Sequence, residues 1–365
     1  MQLTSVPGIV VTIAFVLVYA IAWSAYLLCS SWKEYIVFPL APYRCLLVVY
    51  AVGKYLLGCI SLLPFAVSAM RTRPPGPTKV QYAFPFHSRT LDVYPAGSKA
   101  PVIVLAPSFM HPVFITGSKR SYTPIAHKLN TKGFCVVVPD IQYSAERRLQ
   151  RAVVDLRLVL SWVGVNIGDY GGNADRIYVA GHGLSAHLAL FTVVQEAVVL
   201  SRGLKGYDVG ESRPPSAVSG GSSVDIEKIE IYAAQIRLPQ LRGLVLLSGA
   251  YDVIKAYHTE TERGIERLSL LRRMVGPSLN KFLIHSPSHL LSSSTDVLDR
   301  HFLPPRVLIV HGGRDEMCPI DQAKLLYSQL REAQVDSVEI CAIRNAGHLE
   351  TFTTLTSAPV TSFIM

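Results

Sequence analysis

Three short stretches of the chain carry side chains suited to nucleophilic and acid–base chemistry. The first, Gly181-His182-Gly183-Leu184-Ser185-Ala186-His187, follows the apolar run RIYVA. The second, His311-Gly312-Gly313-Arg314-Asp315, follows RVLIV, and the third, Asn345-Ala346-Gly347-His348, follows the last apolar run. A hydroxyl, a carboxylate and an imidazole in that order are the parts of a nucleophile–acid–base triad. The carboxylate would orient the imidazole and stabilise its charged form, and the imidazole would take the nucleophile's proton. Each residue also has a plainer reading. Asp315 would cap a helix beginning near Pro319, His348 would be a hydrogen-bonded loop histidine, and Ser185 a first-turn helix serine. His182 and His187 have no carboxylates at ligand spacing, so they read as structural and the sequence predicts no metal site. Asp252 is an alternative acid, but its place before a helical pattern favours a cap.

Such residues need a scaffold that brings strand ends together. The runs at 101–106, 134–139, 176–180, 241–247, 306–310 and 338–343 are rich in Val, Ile and Leu. That content suits strands buried on both faces. Helical patterns alternate with them at 122–132, 147–163, 185–200 and 321–334. Alternating strands and long helices predict βαβ units and a mostly parallel sheet flanked by helices, with sites at the carboxyl ends of the strands. The Gly/Ser/Pro-rich segment 203–223 reads as a flexible surface loop, and 251–294 as a basic, helical cap-like insertion.

The run Asp169–Leu190, DYGGNADRIYVAGHGLSAHLAL, resembles the nucleophile region of the esterase/lipase-type α/β-hydrolases. It is most similar to isoprenylcysteine methylesterases and kynurenine formamidases, which carry GxSAGAH there. HGGRDEMCP and NAGH resemble the acid and base loops of the same family, and LRGLVLLSGAYD is also family-like. The resemblance extends over about residues 98–352. It implies an α/β-hydrolase fold, with Ser185 as nucleophile, His348 as general base and Asp315 orienting His348.

Two departures stand out. The middle position of G-x-S-x-G is Gly183, and the serine has moved to Ser185. An elbow residue is held so that its side chain stands clear of the sheet. A helical residue two places on is rotated by ~200°. The expectation is therefore that Gly183 forms the apex and Ser185 turns away from His348, so that attack by Ser185 needs a rebuilt turn. The family's oxyanion loop also changes: its glycine pair falls on His111-Pro112, and its usual Trp on Phe114. Proline has no N–H to donate.

The N-terminus differs in kind. Residues 1–32 contain no charge, and Val6–Trp32 is long enough to cross a bilayer. A second apolar stretch, Leu46–Met70, is interrupted by Lys54. Two passes are the preferred reading; the alternative is that the second stretch lies in the interface or packs on the folded domain. The expected organisation is a membrane anchor of one or two transmembrane helices over 1–72, a linker and entry strand over 73–97, and the hydrolase domain over 98–365. If the second stretch spans, Arg71, Arg73 and Lys79 beside it put the rest of the chain in the cytosol, and the expected location is the endoplasmic reticulum or another endomembrane. The six cysteines show no CxxC or metal spacing and read as free thiols. The net charge of +9 fits an anionic membrane. No basic run with interleaved aromatics suggests nucleic acid, and no nucleotide, metal or flavin motif suggests a cofactor. The expected function is a membrane-bound carboxylic-ester hydrolase acting on an amphiphilic or lipidated substrate. The alternative is a catalytically silent hydrolase-fold protein that binds a lipid or protein partner.

Overall fold

The structure is a computed structural model that describes residues 6–29, 42–61, 63, 67, 76–82, 89–107, 119–141, 148–205, 236–276 and 278–365. Helices α1 (Val6–Cys29) and α2 (Pro42–Ser61) come first and pack on each other through Ala22, Cys45 and Val48. Strands β1 (Thr78–Gln81), β2 (Thr90–Tyr94) and β3 (Ala100–Ala106) follow, then α3 (Thr123–Asn130), β4 (Cys135–Pro139) and α4 (Arg148–Asn166). Next come β5 (Gly172–His182), α5 (Leu184–Leu204) and β6 (Gly243–Leu247). The cap-like insertion holds four short helices, α6 (Val253–Glu262), α7 (Leu270–Val275), α8 (Leu279–Ile284) and α9 (Pro287–Ser293). The chain ends with β7 (Arg306–Gly312), α10 (Asp321–Glu332), β8 (Ser337–Ile343), α11 (Glu350–Thr353) and α12 (Ala358–Ile364).

The eight strands form one sheet in the order β1-β2-β4-β3-β5-β6-β7-β8. From β4 to β8 every pairing is parallel, whereas β2 runs antiparallel to both β4 and β1. The sheet is therefore mixed. Where one entry strand is expected over 73–97, two are present. Side chains alternate across the sheet with period two. Val102 and Val104 enter the core layer that includes α4 and α5, and Ile103 and Leu105 enter the layer that includes α3 and α12. Each large side chain buried this way contributes ~1.5–3 kcal/mol, so both faces of β3 hold the sheet. β2 is harder to see in sequence because it is short and carries a charge. Its Asp92 is buried against Lys119 Nζ at 2.8 Å.

Among the described residues, two helices are long and apolar enough to cross a membrane, Pro42–Ile60 and Leu184–Leu204. The second is α5, buried in the domain core. In α1 the apolar stretch Ile9–Ser24 is shorter. α2 lies against the folded domain: Arg44 Nη1 is 3.2 Å from Glu266 Oε1, and Lys54 Nζ is 2.8 Å from Glu316 Oε1. Gly203–Lys205 close α5 and its C-cap, while residues 206–223 of the expected loop, residues 73–75 of the linker, and Arg71 lie outside the described residues.

Candidate active site

β5 passes into α5 through a sharp turn whose apex is Gly183, at φ +58° and ψ −116°. Side chains rarely adopt that region, and glycine enters it freely. The Gly183 N–H donates to Leu247 O at 2.8 Å, which ties the apex to the end of β6. Gly181 permits the tight reversal, since a Cβ there would stand 2.5 Å from the Ser185 carbonyl carbon. A Cβ on Gly183 would stand 3.1 Å from His348 Nε2. The apex thus faces the imidazole.

His348 is held from behind. Its Nδ1 lies 2.8 Å from Asp315 Oδ2. With that nitrogen donating, Nε2 presents its lone pair toward Gly183, a tautomer assigned from the hydrogen bonds. The main-chain oxygen of His348 accepts from Thr351 Oγ1 at 2.7 Å and from His182 Nε2 at 2.8 Å. The other carboxylate oxygen of Asp315 accepts from the Met317 and Cys318 amides at 3.0 and 2.8 Å. Asp315 is buried. Burial alone would raise its pKa, but the charge and hydrogen bond of His348, the Cys318 amide and the charge of His311 together hold it below the usual aspartate value. Asp315 is therefore held ionised against His348 Nδ1. It does not cap α10, whose N-cap is Ile320 with no side-chain bond.

Ser185 is not brought to this pair. It is fully buried, and its Oγ donates to His182 O and accepts from His182 N, both at 3.0 Å. The hydroxyl of the serine expected as nucleophile is thus occupied inside the turn, and Gly183 stands where a side chain would meet His348. His187 is also structural, with Nδ1 2.6 Å from Ala250 O. Burial, reinforced by the charge of His285, pushes its pKa down to about 4. Asp252 caps α6 by accepting from Lys255 N at 3.0 Å. His111, Pro112 and Phe114 lie outside the described residues.

Other residues support the site without a clear sequence signal. His182 is buried and packs on the His348 ring at 4.7 Å between centroids. Burial, reinforced by His348, lowers its pKa to about 3. Ser248, at positive φ of +46°, pairs with Thr351 at 2.9 Å and so steadies the residue that holds the His348 carbonyl. A positive φ on a non-glycine residue beside a site is the trace such a role leaves, and it is invisible in sequence.

The comparisons agree with this architecture. The chain is 25% identical over 258 residues to Esterase LipQ of Mycobacterium tuberculosis, covering 69% of this chain and 51% of that protein. It is 27% identical over 238 residues to the probable isoprenylcysteine alpha-carbonyl methylesterase ICMEL1 of Arabidopsis thaliana, covering 64% of this chain and 43% of that protein. The chain thus spans about half the length of the curated relatives it matches. Among solved structures, an acetyl ester-xyloside bifunctional hydrolase of Caldicellulosiruptor lactoaceticus shares the fold, with a TM-score of 0.52 at 13% identity, over 80% of this chain and 94% of that one. Residues 97–330, which hold the Gly183 apex and the Asp315 loop and make up well over half of the sequence, match BD-FAE, and the chain belongs to that family.

Proposed function

We propose that the protein is a membrane-anchored carboxylic-ester hydrolase in which the Asp315–His348 pair acts on water at the Gly183 apex. One observation carries this reading: His348 Nε2 faces the position of the missing Gly183 side chain while Nδ1 is fixed by Asp315. A water there would give its proton to Nε2 as its oxygen attacks the ester carbonyl. The first-turn amides of α5, which by helix geometry have no partners within the helix, would donate to the oxyanion. His348 would return the proton to the departing alkoxide as the C–O bond breaks, leaving acid and alcohol. Resemblance to the methylesterases and the apolar N-terminus support an amphiphilic or lipidated ester as substrate, and an endomembrane with the domain in the cytosol as location. Without a seryl nucleophile, the acceleration is that of oxyanion stabilisation and binding, on the order of 10³–10⁴ over water.

A silent binding protein is the second reading, favoured by the tethered Ser185 hydroxyl. Hydrolysis of a p-nitrophenyl ester by the full chain in detergent decides between them. Turnover that His348→Ala abolishes and a fluorophosphonate leaves untouched supports the hydrolase. Equal rates in native and His348→Ala chains leave the binding reading.

A further inference from the structure

We propose that α2 is a membrane-surface helix, not a second span, and that it fixes the mouth of the Gly183–His348 site to the bilayer so that the ester enters from the lipid side. The access part rests on the hydrolase reading; the placement of α2 does not. α2 has three faces. Arg44, Leu47, Lys54 and Gly58 follow at helical steps of three, seven and four, and all four meet the folded domain. Arg44 pairs with Glu266 in the cap, and Leu47 packs where Gly264 leaves room. Lys54 pairs with Glu316, next to Asp315, and Gly58 packs on Leu349, next to His348. Cys45 and Val48 form a second face, against α1.

The third face carries Tyr43, Leu46, Tyr50, Leu57 and Ile60, each between 54% and 70% exposed. These residues make one apolar stripe at helical spacing, with a tyrosine at its start and another along it. Such a face fits the boundary between headgroups and acyl chains. α1, which packs on α2, also exposes Val10, Val11, Phe15 and Val16 and lies in a charge-free segment. The net charge of +9 complements an anionic leaflet. The domain contacts argue against spanning. They run from Arg44 to Gly58, about 21 Å of helix at ~1.5 Å per residue. A bilayer core is ~30 Å thick and does not admit the polar domain surface that carries Glu266 and Glu316 beside the helix. α2 therefore either leaves the domain to span or keeps the domain and lies flat, and the packing of Leu47 beside Gly264 and of Gly58 on Leu349, with the exposed Arg44 and Lys54 pairs at the rim, favours the flat placement.

The test uses the native chain in vesicles of phosphatidylcholine with phosphatidylserine. A zero-length carbodiimide should join Lys54 to Glu316, with the linked peptides identified by mass spectrometry, in vesicles as in detergent. A link formed in detergent and absent in vesicles would overturn the placement. Separately, Leu46→Ser with Leu57→Ser should lower hydrolysis of a vesicle-embedded ester roughly tenfold or more, because two leucines no longer bury in acyl chains. Hydrolysis of a soluble ester should hold. Equal loss on both esters would overturn the access route. No hydrolysis of either ester by the native chain would sink the hydrolase reading alone, and the cross-link would still decide the placement of α2.

Discussion

Gly183→Ser puts a hydroxyl where the apex meets His348. Two costs and one gain can be worked out. A non-glycine residue at φ +58° carries about 1–3 kcal/mol of backbone strain. The new Cβ would stand 3.1 Å from His348 Nε2, so the ring must give by a few tenths of an ångström. The ring has limited room, because Asp315 and His182 hold its two sides. The gain is a nucleophile already facing its base. A triad serine is worth about 10⁶ in turnover, and a missing oxyanion donor slows native and variant alike. The expectation is a rise of up to about 10⁶ in p-nitrophenyl ester hydrolysis, reduced by however far the His348 ring is displaced, with stability lowered by about 1–3 kcal/mol in urea unfolding. Fluorophosphonate should label the Gly183→Ser chain at its new apex hydroxyl and leave the native chain unlabelled. A folded variant with neither labelling nor a gain in rate would refute the placement of Gly183 opposite His348.

Ser185→Ala strips the partners from the buried His182 amide and carbonyl, so it should lose about 1–3 kcal/mol in urea unfolding while ester hydrolysis stays within about threefold. A collapse of the rate with stability intact would return Ser185 to the chemistry. Gly181→Ala drives a Cβ to 2.5 Å from the Ser185 main chain, an overpacking that should cost about 1–3 kcal/mol and shows directly as a lower thermal midpoint. Stability should also depend on pH. His182 and His187 stay neutral when folded, with values near 3 and 4, and take up protons near 6.5 when unfolded. Burial raises Glu260 to about 7 from 4.5, so the folded chain keeps a proton there that the unfolded chain sheds. Between these limits the unfolded state gains two protons and lacks one, a net of one more. His285 and His311, whose pKa values burial also lowers, add protons to the unfolded state in the same direction, so stability rises with pH from ~4.5 to ~6.5 by at least about 1.4 kcal/mol per unit. Urea titrations at pH 5 and 6.5 check the sign, and a flat or falling trend would show that these groups are not buried as described.

Much of the fold was legible because burial on both faces leaves a plain mark. The Val/Ile/Leu runs that become β3 to β7 are such marks, as are the amphipathic repeats of α4 and α10; the run that becomes β8 reads the same way, but that edge strand is largely exposed. The meeting of Asp315 and His348 was legible for a related reason: both sit just past consecutive strands, and parallel strands bring such loops to one edge. β2 escaped because it is five residues long with a buried Asp92, whose partner Lys119 lies far along the chain. The fate of Ser185 turned on backbone direction. Helical rotation pointed it away from His348, but the hydrogen bonds that hold it to His182 depend on the turn's φ and ψ, which no residue type reveals. α2 was the hardest to place. Its apolar length reads as a span, and only tertiary contact shows that Arg44, Lys54 and Gly58 face protein.

The most direct test of ester hydrolysis without a serine is a single-turnover reaction of the native chain with a p-nitrophenyl ester, quenched and followed by intact-protein mass spectrometry beside His348→Ala. The prediction is product from the native chain with no acylated protein at any time, and product lost in His348→Ala. An acyl adduct that maps to Ser185, or turnover that survives His348→Ala, would contradict it.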